Sequence, residues 1–152
     1  MKKFQFRLDT VLSYKQQVQE GLQNEHAGLL QKVQLQEQQL AEVQQRYMAL
    51  NQEFREAEAM GMTIAEAMSY ESGLRFLERE IQKETKKLQE CRHAAEKKRE
   101  EVMVASQETM VLERLKEKKL DAYQKDVQKK EEQFIEELVS TTRVMEASLS
   151  GM

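Results

Sequence analysis

Ala59-Met60-Gly61-Met62-Thr63 is the stretch that decides the fold. Gly61 can take a left-handed backbone conformation without a steric penalty and so can end a helix. Thr63 can cap the next one, and Glu66 stands three residues on, as a capping box requires. Long stretches of helical periodicity lie on both sides, and the chain has no proline. The expectation is an all-α fold. It is a long antiparallel two-helix coiled coil, a single helical hairpin over residues 1–152. Helix 1 covers about residues 3–59, the turn about 60–63 and helix 2 about 64–147.

Upstream of the turn, Val33, Gln36, Leu40, Val43, Tyr47, Leu50, Phe54 and Ala57 recur at steps of three and four, one face of a helix. Phe4, Leu8, Val11, Leu12, Val18, Leu22 and Leu29 extend that face toward the N-terminus. Lys15 and Glu25 occupy slots that would otherwise be apolar, and they can help fix the register. Two successive steps of four, Glu25 to Leu29 to Val33, form a stutter that locally unwinds a left-handed supercoil. Gly21 and Gly28 read as tolerated surface glycines.

Downstream, Ser69 offers a second cap, so the long helix starts either at Thr63 or at Ser69. A kink near Gly73 is left open. The seam resumes at Leu74 and runs through Leu77, Ile81, Leu88, Cys91, Ala95, Val102, Ala105, Thr109 and Leu112, with Glu84 interrupting it. Past Leu112, apolar residues recur among dense charge as far as Met145. Ser148 to Met152 reads as a frayed end.

The arms are unequal. At about 1.5 Å per residue the first spans about 85 Å and the second about 126 Å. Folded at Gly61, residue i faces roughly residue 124 minus i. Phe4 then faces the region of Leu120, and everything past about Asp121 has no partner within the chain. An isolated helix is marginal in water. The tail nevertheless keeps Tyr123, Val127, Phe134, Ile135 and Leu138 at stripe spacing, which points to a partner.

Composition excludes several functions. Charged residues make up 34% of the chain and aromatics 6%, which suits a seam rather than a compact core. The formal charge is -3, with acids and bases interspersed, so no nucleic-acid partner is expected. A lone cysteine makes no internal disulfide; Cys91 reads as a small buried hydrophobe. No apolar run reaches membrane-spanning or signal-peptide length, which predicts a cytoplasmic protein without direct membrane insertion. No glycine-rich phosphate loop is present. His26 and His93 fall within reach across the hairpin, but no carboxylate–histidine pattern supports a shared metal. The reading is no enzyme, no cofactor, no metal and no catalytic residues.

Three segments carry a resemblance. Phe4-Gln5-Phe6-Arg7-Leu8-Asp9-Thr10-Val11-Leu12 resembles an F-x-F-x-L-x-x-V-L opening. Gly61-Met62, followed by Tyr70, Leu74, Leu77 and Ile81, resembles a glycine turn before a tyrosine and an apolar run. Leu112-Glu113-Arg114-Leu115 and Glu131-Glu132-Gln133-Phe134 through Glu137 resemble the closing segments, with glutamate where aspartate is usual. Together they are similar to the flagellar FliJ family of the bacterial flagellar type III export apparatus. The resemblance implies a hairpin similar to the central stalk of rotary ATPases. It further implies a non-enzymatic stalk that inserts into the hexameric export ATPase ring and promotes its assembly. The same stalk would couple the ring to the cytoplasmic part of the membrane export gate and handle export chaperones. The location implied is cytoplasmic, peripheral to the cell membrane at the flagellar base, and the free protein is expected to be monomeric.

The family's gate-contact pattern falls here on Gln39, Val43, Leu50 and Leu77; the chain departs from that pattern at Gly73, Glu80 and Glu84. For the ring-inserting end, Phe4, Arg7 and Lys15 of the first arm and Tyr123, Phe134 and Glu137 of the second are the expected contacts. Two other readings compete. One is a generic coiled-coil scaffold or dimeric spacer, whose tail pairs with a second copy. The other is a stalk subunit of a non-flagellar ATPase, which binds a ring but no gate.

Overall fold

The computed structural model describes residues 3–151. Two α-helices account for nearly all of them: α1 from Asp9 to Met60 and α2 from Ile64 to Ser150. No strand occurs among the described residues. The helices pack against each other, and their contacts group into two units. A hairpin unit comprises Val18–Ala105, and a terminal unit joins the residues up to Gln17 to those from Ser106 on.

In the hairpin unit the turn has the expected chemistry. Gly61 has φ +90°, the left-handed conformation that closes α1, and its N–H donates to the Glu58 carbonyl at 3.2 Å. The Glu66 N–H donates to Thr63 Oγ1 at 3.2 Å, satisfying one orphan donor at the start of α2. Of the two possible starts, Thr63 is the one used. Residues 64–73 are helical without interruption through Ser69 and Gly73.

The seam of this unit is thin. Leu88 and Ala95 are buried, as is Ala105 at its edge, while most other seam residues remain half-buried. Two polar breaks in the apolar pattern meet each other. Gln36, only 8% exposed, donates through Nε2 to the Glu84 carbonyl at 3.1 Å and also to the Glu84 carboxylate. An amide and an acid that each interrupt their own helix thus satisfy one another. Near the turn, the Phe54 and Tyr70 rings stack at 5.4 Å, tilted by 57°. Gly73 lies where a Cβ would come 3.0 Å from Leu50 Cδ2, so the glycine permits close approach of the helices. Gly21 and Gly28 face open space.

The terminal unit departs from expectation at its first residues. Helix α1 begins at Asp9, not near residue 3; residues 3–6 are irregular and 7–8 form a turn. The reason is visible in Phe4-Gln5-Phe6-Arg7-Leu8. Its apolar residues alternate with polar ones, a period of two that suits an extended segment and not a helix. Phe4 and Phe6 are half-buried while Gln5 and Arg7 are exposed. No capping side chain precedes Phe4, whereas Asp9 places a negative charge in the first turn of α1. An extended residue advances about 3.3 Å and a helical one about 1.5 Å, so the segment reaches further along α2 than a helix would. Phe4 therefore meets Tyr123 and not Leu120. Coverage of α2 reaches Val127, which is half-buried, so the uncovered part starts after Val127 and not at Asp121.

At the other end α2 continues to Ser150, past the expected stop at 147, and the Gly151 N–H donates to the Ala147 carbonyl at 3.1 Å.

Candidate functional site

The terminal unit carries the features that point to a partner. Leu112, Tyr123, Phe134 and Met145 stand eleven residues apart, and so do Lys116, Val127, Leu138 and Leu149. Eleven residues make three turns at 3.67 per turn, close to the natural 3.6, so the two rows share one face of a nearly straight helix. The face has two fates. Leu112, Lys116, Tyr123 and Val127 are half-buried, with Lys116 paired to Asp9, Tyr123 to Phe4, and Val127 sharing a groove with Phe4 and Leu8. Phe134, Leu138, Met145 and Leu149 continue the same rows and are exposed, Phe134 at 62%. A seam that is covered along part of its length simply continues into solvent.

Electrostatics fix how α1 meets α2 in this unit. Lys15 Nζ donates to Glu108 Oε2 at 2.8 Å, and Lys116 Nζ to Asp9 Oδ1 at 2.8 Å. The hydrogen bond and charge of Glu108 hold the Lys15 ammonium above its ordinary value. Leu12, 4% exposed, and Thr109, also 4%, are the buried residues between these pairs.

The expected ring contacts divide accordingly. Phe4, Arg7 and Tyr123 line one groove. Lys15 lies further along, engaged with Glu108. Phe134 and Glu137 are exposed on the uncovered part of α2. The expected gate contacts lie in the hairpin unit and do not share one exposed surface. Val43, Leu50 and Leu77 are half-buried in the seam, and only Gln39 is exposed. Tyr47 is half-buried and hydrogen-bonds through its hydroxyl to Glu78 Oε1 at 3.2 Å; that bond raises its pKa.

Leu149 and the eleven-residue rows were missing from the sequence reading. Spacing counted over eleven residues instead of seven would have found them. Among the described residues no cluster of side chains could hold a metal ion, and no helix is long and apolar enough to cross a membrane. His26 is half-buried and His93 exposed.

The sequence profile described as Flagellar FliJ protein matches residues 4–144, nearly the whole chain. No curated protein and no solved structure matches it.

Proposed function

The chain belongs to the flagellar FliJ family, a non-enzymatic component of flagellar export, and from that premise we propose that it acts as a stalk for the export ATPase. In this reading the uncovered end of α2 enters the hexameric ring, promotes its assembly and links it to the cytoplasmic part of the membrane export gate. The protein also hands export chaperones to that machinery. It works on the cytoplasmic side of the membrane at the flagellar base, carries out no catalysis itself and is monomeric when free.

One observation carries the reading: the apolar rows of the α2 seam run on, exposed, through Phe134, Leu138, Met145 and Leu149. Exposed apolar side chains in register with a buried seam are kept for a partner. The ring contacts are accordingly assigned to Phe134 and Glu137 on the open part, with Phe4, Arg7 and Tyr123 at its base and Lys15 behind them. The gate contacts are assigned to the hairpin unit through Gln39, Val43, Leu50 and Leu77.

The test is sedimentation of the pure protein, alone and with a purified flagellar export ATPase under hexamer-forming conditions. A monomer that joins or promotes the hexamer, and that loses this ability on Phe134→Glu with Leu138→Glu, supports the stalk. A stable homodimer that ignores the ATPase overturns it in favour of a scaffold. Binding to the ATPase ring but not to the gate would favour a stalk outside the export system.

A further inference from the structure

Charge is unevenly distributed in this chain. Residues 3–8 and 115–130 contain eight Lys and Arg against three Asp and Glu, a local excess of five positive charges in a chain of net charge -3. The structure brings these two segments together within the terminal unit. Between them lies a groove of about 1240 Å³. Its apolar lining comes from Phe4, Leu8, Leu115, Tyr123 and Val127.

Cations surround that lining. Lys3, Arg7, Lys119 and Lys130 line the groove with a single acid, Asp126. Asp126 is already engaged, 3.3 Å from Lys130 Nζ. Lys3, Arg7 and Lys119 make no ion pair among the described residues. Most other lysines of the terminal unit are committed: Lys15 to Glu108, Lys116 to Asp9 and Lys125 to Asp121. Lys3, Arg7 and Lys119 thus place three unpaired cations around the apolar floor, while Arg114, Lys118, Lys129 and Arg143 are unpaired outside it among the described residues.

We propose that this groove is a docking site for an acidic segment of a partner protein, one that carries aromatic or leucine side chains between its carboxylates. The apolar floor calls for side chains to fill it, and the cations call for carboxylates beside them. A nucleic acid would meet the charge but leave the floor empty, because its recognition relies on phosphate contacts along a stripe. The proposal deepens the stalk reading by giving the chemistry of the partner at this end. The groove chemistry rests on this chain's own residues alone.

The probe is a short amidated peptide of glutamate alternating with phenylalanine and leucine, labelled with one tryptophan. The chain has no tryptophan, so fluorescence excited at the red edge of the indole band, beyond tyrosine absorption, reports the peptide only. Arg7 and Lys119 are exposed and make no ion pair, so Arg7→Glu with Lys119→Glu should fold normally. The expected result is saturable binding that weakens with salt and falls about tenfold or more in that double variant. Lys118→Glu changes charge beside the groove without lining it and should leave affinity within about twofold. Phe4→Ala should weaken binding at high salt as well, where charge steering is screened. Phe134→Glu with Leu138→Glu should leave peptide binding intact while removing ATPase association, which separates failure of the groove from failure of the stalk. A loss in Lys118→Glu as large as that in the Arg7→Glu, Lys119→Glu double variant overturns the proposal, since it would mean unspecific charge attraction. So would equal binding of the same peptide with lysine in place of glutamate, or stronger binding of a DNA duplex or of phosphatidylglycerol vesicles.

Discussion

The ring of Phe4 lies 5.6 Å from that of Tyr123, centre to centre, and is tilted by 48° to it. This contact joins the irregular N-terminal segment to a residue of α2 more than a hundred positions later in sequence. It sets where the covered part of the α2 face stops. Tilted ring pairs contribute about 0.5–1.5 kcal/mol beyond their buried area. Phe4→Ala should therefore free the segment locally without unfolding the hairpin unit. Hydrogen exchange should quicken for the amides around Leu115 to Val127 and stay unchanged near Phe54 and Tyr70. Unchanged exchange at Tyr123 would show that the ring contact does not hold the segment.

The glycines give a second test. Gly21 and Gly28 are helical, exposed and face open space. Replacing either with alanine should stabilise the hairpin unit by about 0.5–1 kcal/mol through helix propensity. Gly73→Ala gains the same propensity, but its Cβ would come 3.0 Å from Leu50 Cδ2. Its net effect in thermal melts should be smaller or destabilising. Combining it with Leu50→Ala should bring back the helical gain relative to Leu50→Ala alone.

Gln36 and Glu84 should behave as a coupled pair. Gln36→Leu leaves the half-buried Glu84 carboxylate without its amide donor, at a cost of about 1–3 kcal/mol. Leucine at both positions joins the apolar series on each helix and should recover most of that loss or exceed it. Denaturant unfolding of the two single variants and the double one measures the coupling. Strict additivity would mean that the hydrogen bond contributes nothing.

A pH test falls on Lys98, whose Nζ lies 2.8 Å from Glu101 Oε2 and 2.9 Å from Glu25 Oε2. Lys98 lowers the Glu101 pKa by hydrogen bond and charge, and the two glutamates raise that of Lys98. A carboxylate with a depressed folded-state pKa contributes stability above its unfolded pKa and loses it as pH falls. The lysine side of the cluster is lost only as pH rises through the raised ammonium value. Carboxyl NMR titration should place Glu101 below the ordinary glutamate midpoint, and Lys98→Met should return it there. A midpoint unaffected by Lys98→Met would remove the ion pair from the account.

Cutting the chain after Gln128 tests what the uncovered helix does for stability. No residue from 128 onward is buried or half-buried among those described. The expected result is a loss of helical signal in proportion to length, with the thermal midpoint of the remainder unchanged. A lowered midpoint would show that the tail supports the paired part.

The sequence by itself determined the all-helical hairpin, its turn and its register. Local chemistry suffices for these. Gly61 is the only described residue with positive φ, Thr63 caps α2, and apolar periodicity leaves one face to bury. The register follows from the turn: Lys15 with Glu108, Glu25 with Lys98 and Leu50 with Gly73 each stand close to the expected 124 minus i. Lys15 and Glu25, read as polar slots that can help fix the register, are each tied across the seam by an ion pair. The family was also legible, because its motifs lie in that same linear order.

Only the tertiary structure decided what happens at the termini. Phe4, Phe6 and Leu8 satisfy a helical spacing loosely and an extended one well, and the choice between them depends on what Tyr123 and Val127 offer across the gap. The pairing of Gln36 with Glu84 was likewise hidden, since Gln36 read as one more seam position of its helix and Glu84 as an interruption of the other. The basic groove joins residues from opposite ends of the chain, and within 115–130 the lysines are interleaved with Glu117, Asp121 and Asp126. Local patterns report how each segment prefers to fold; which charges and rings share a surface is set by contacts between segments far apart in the chain.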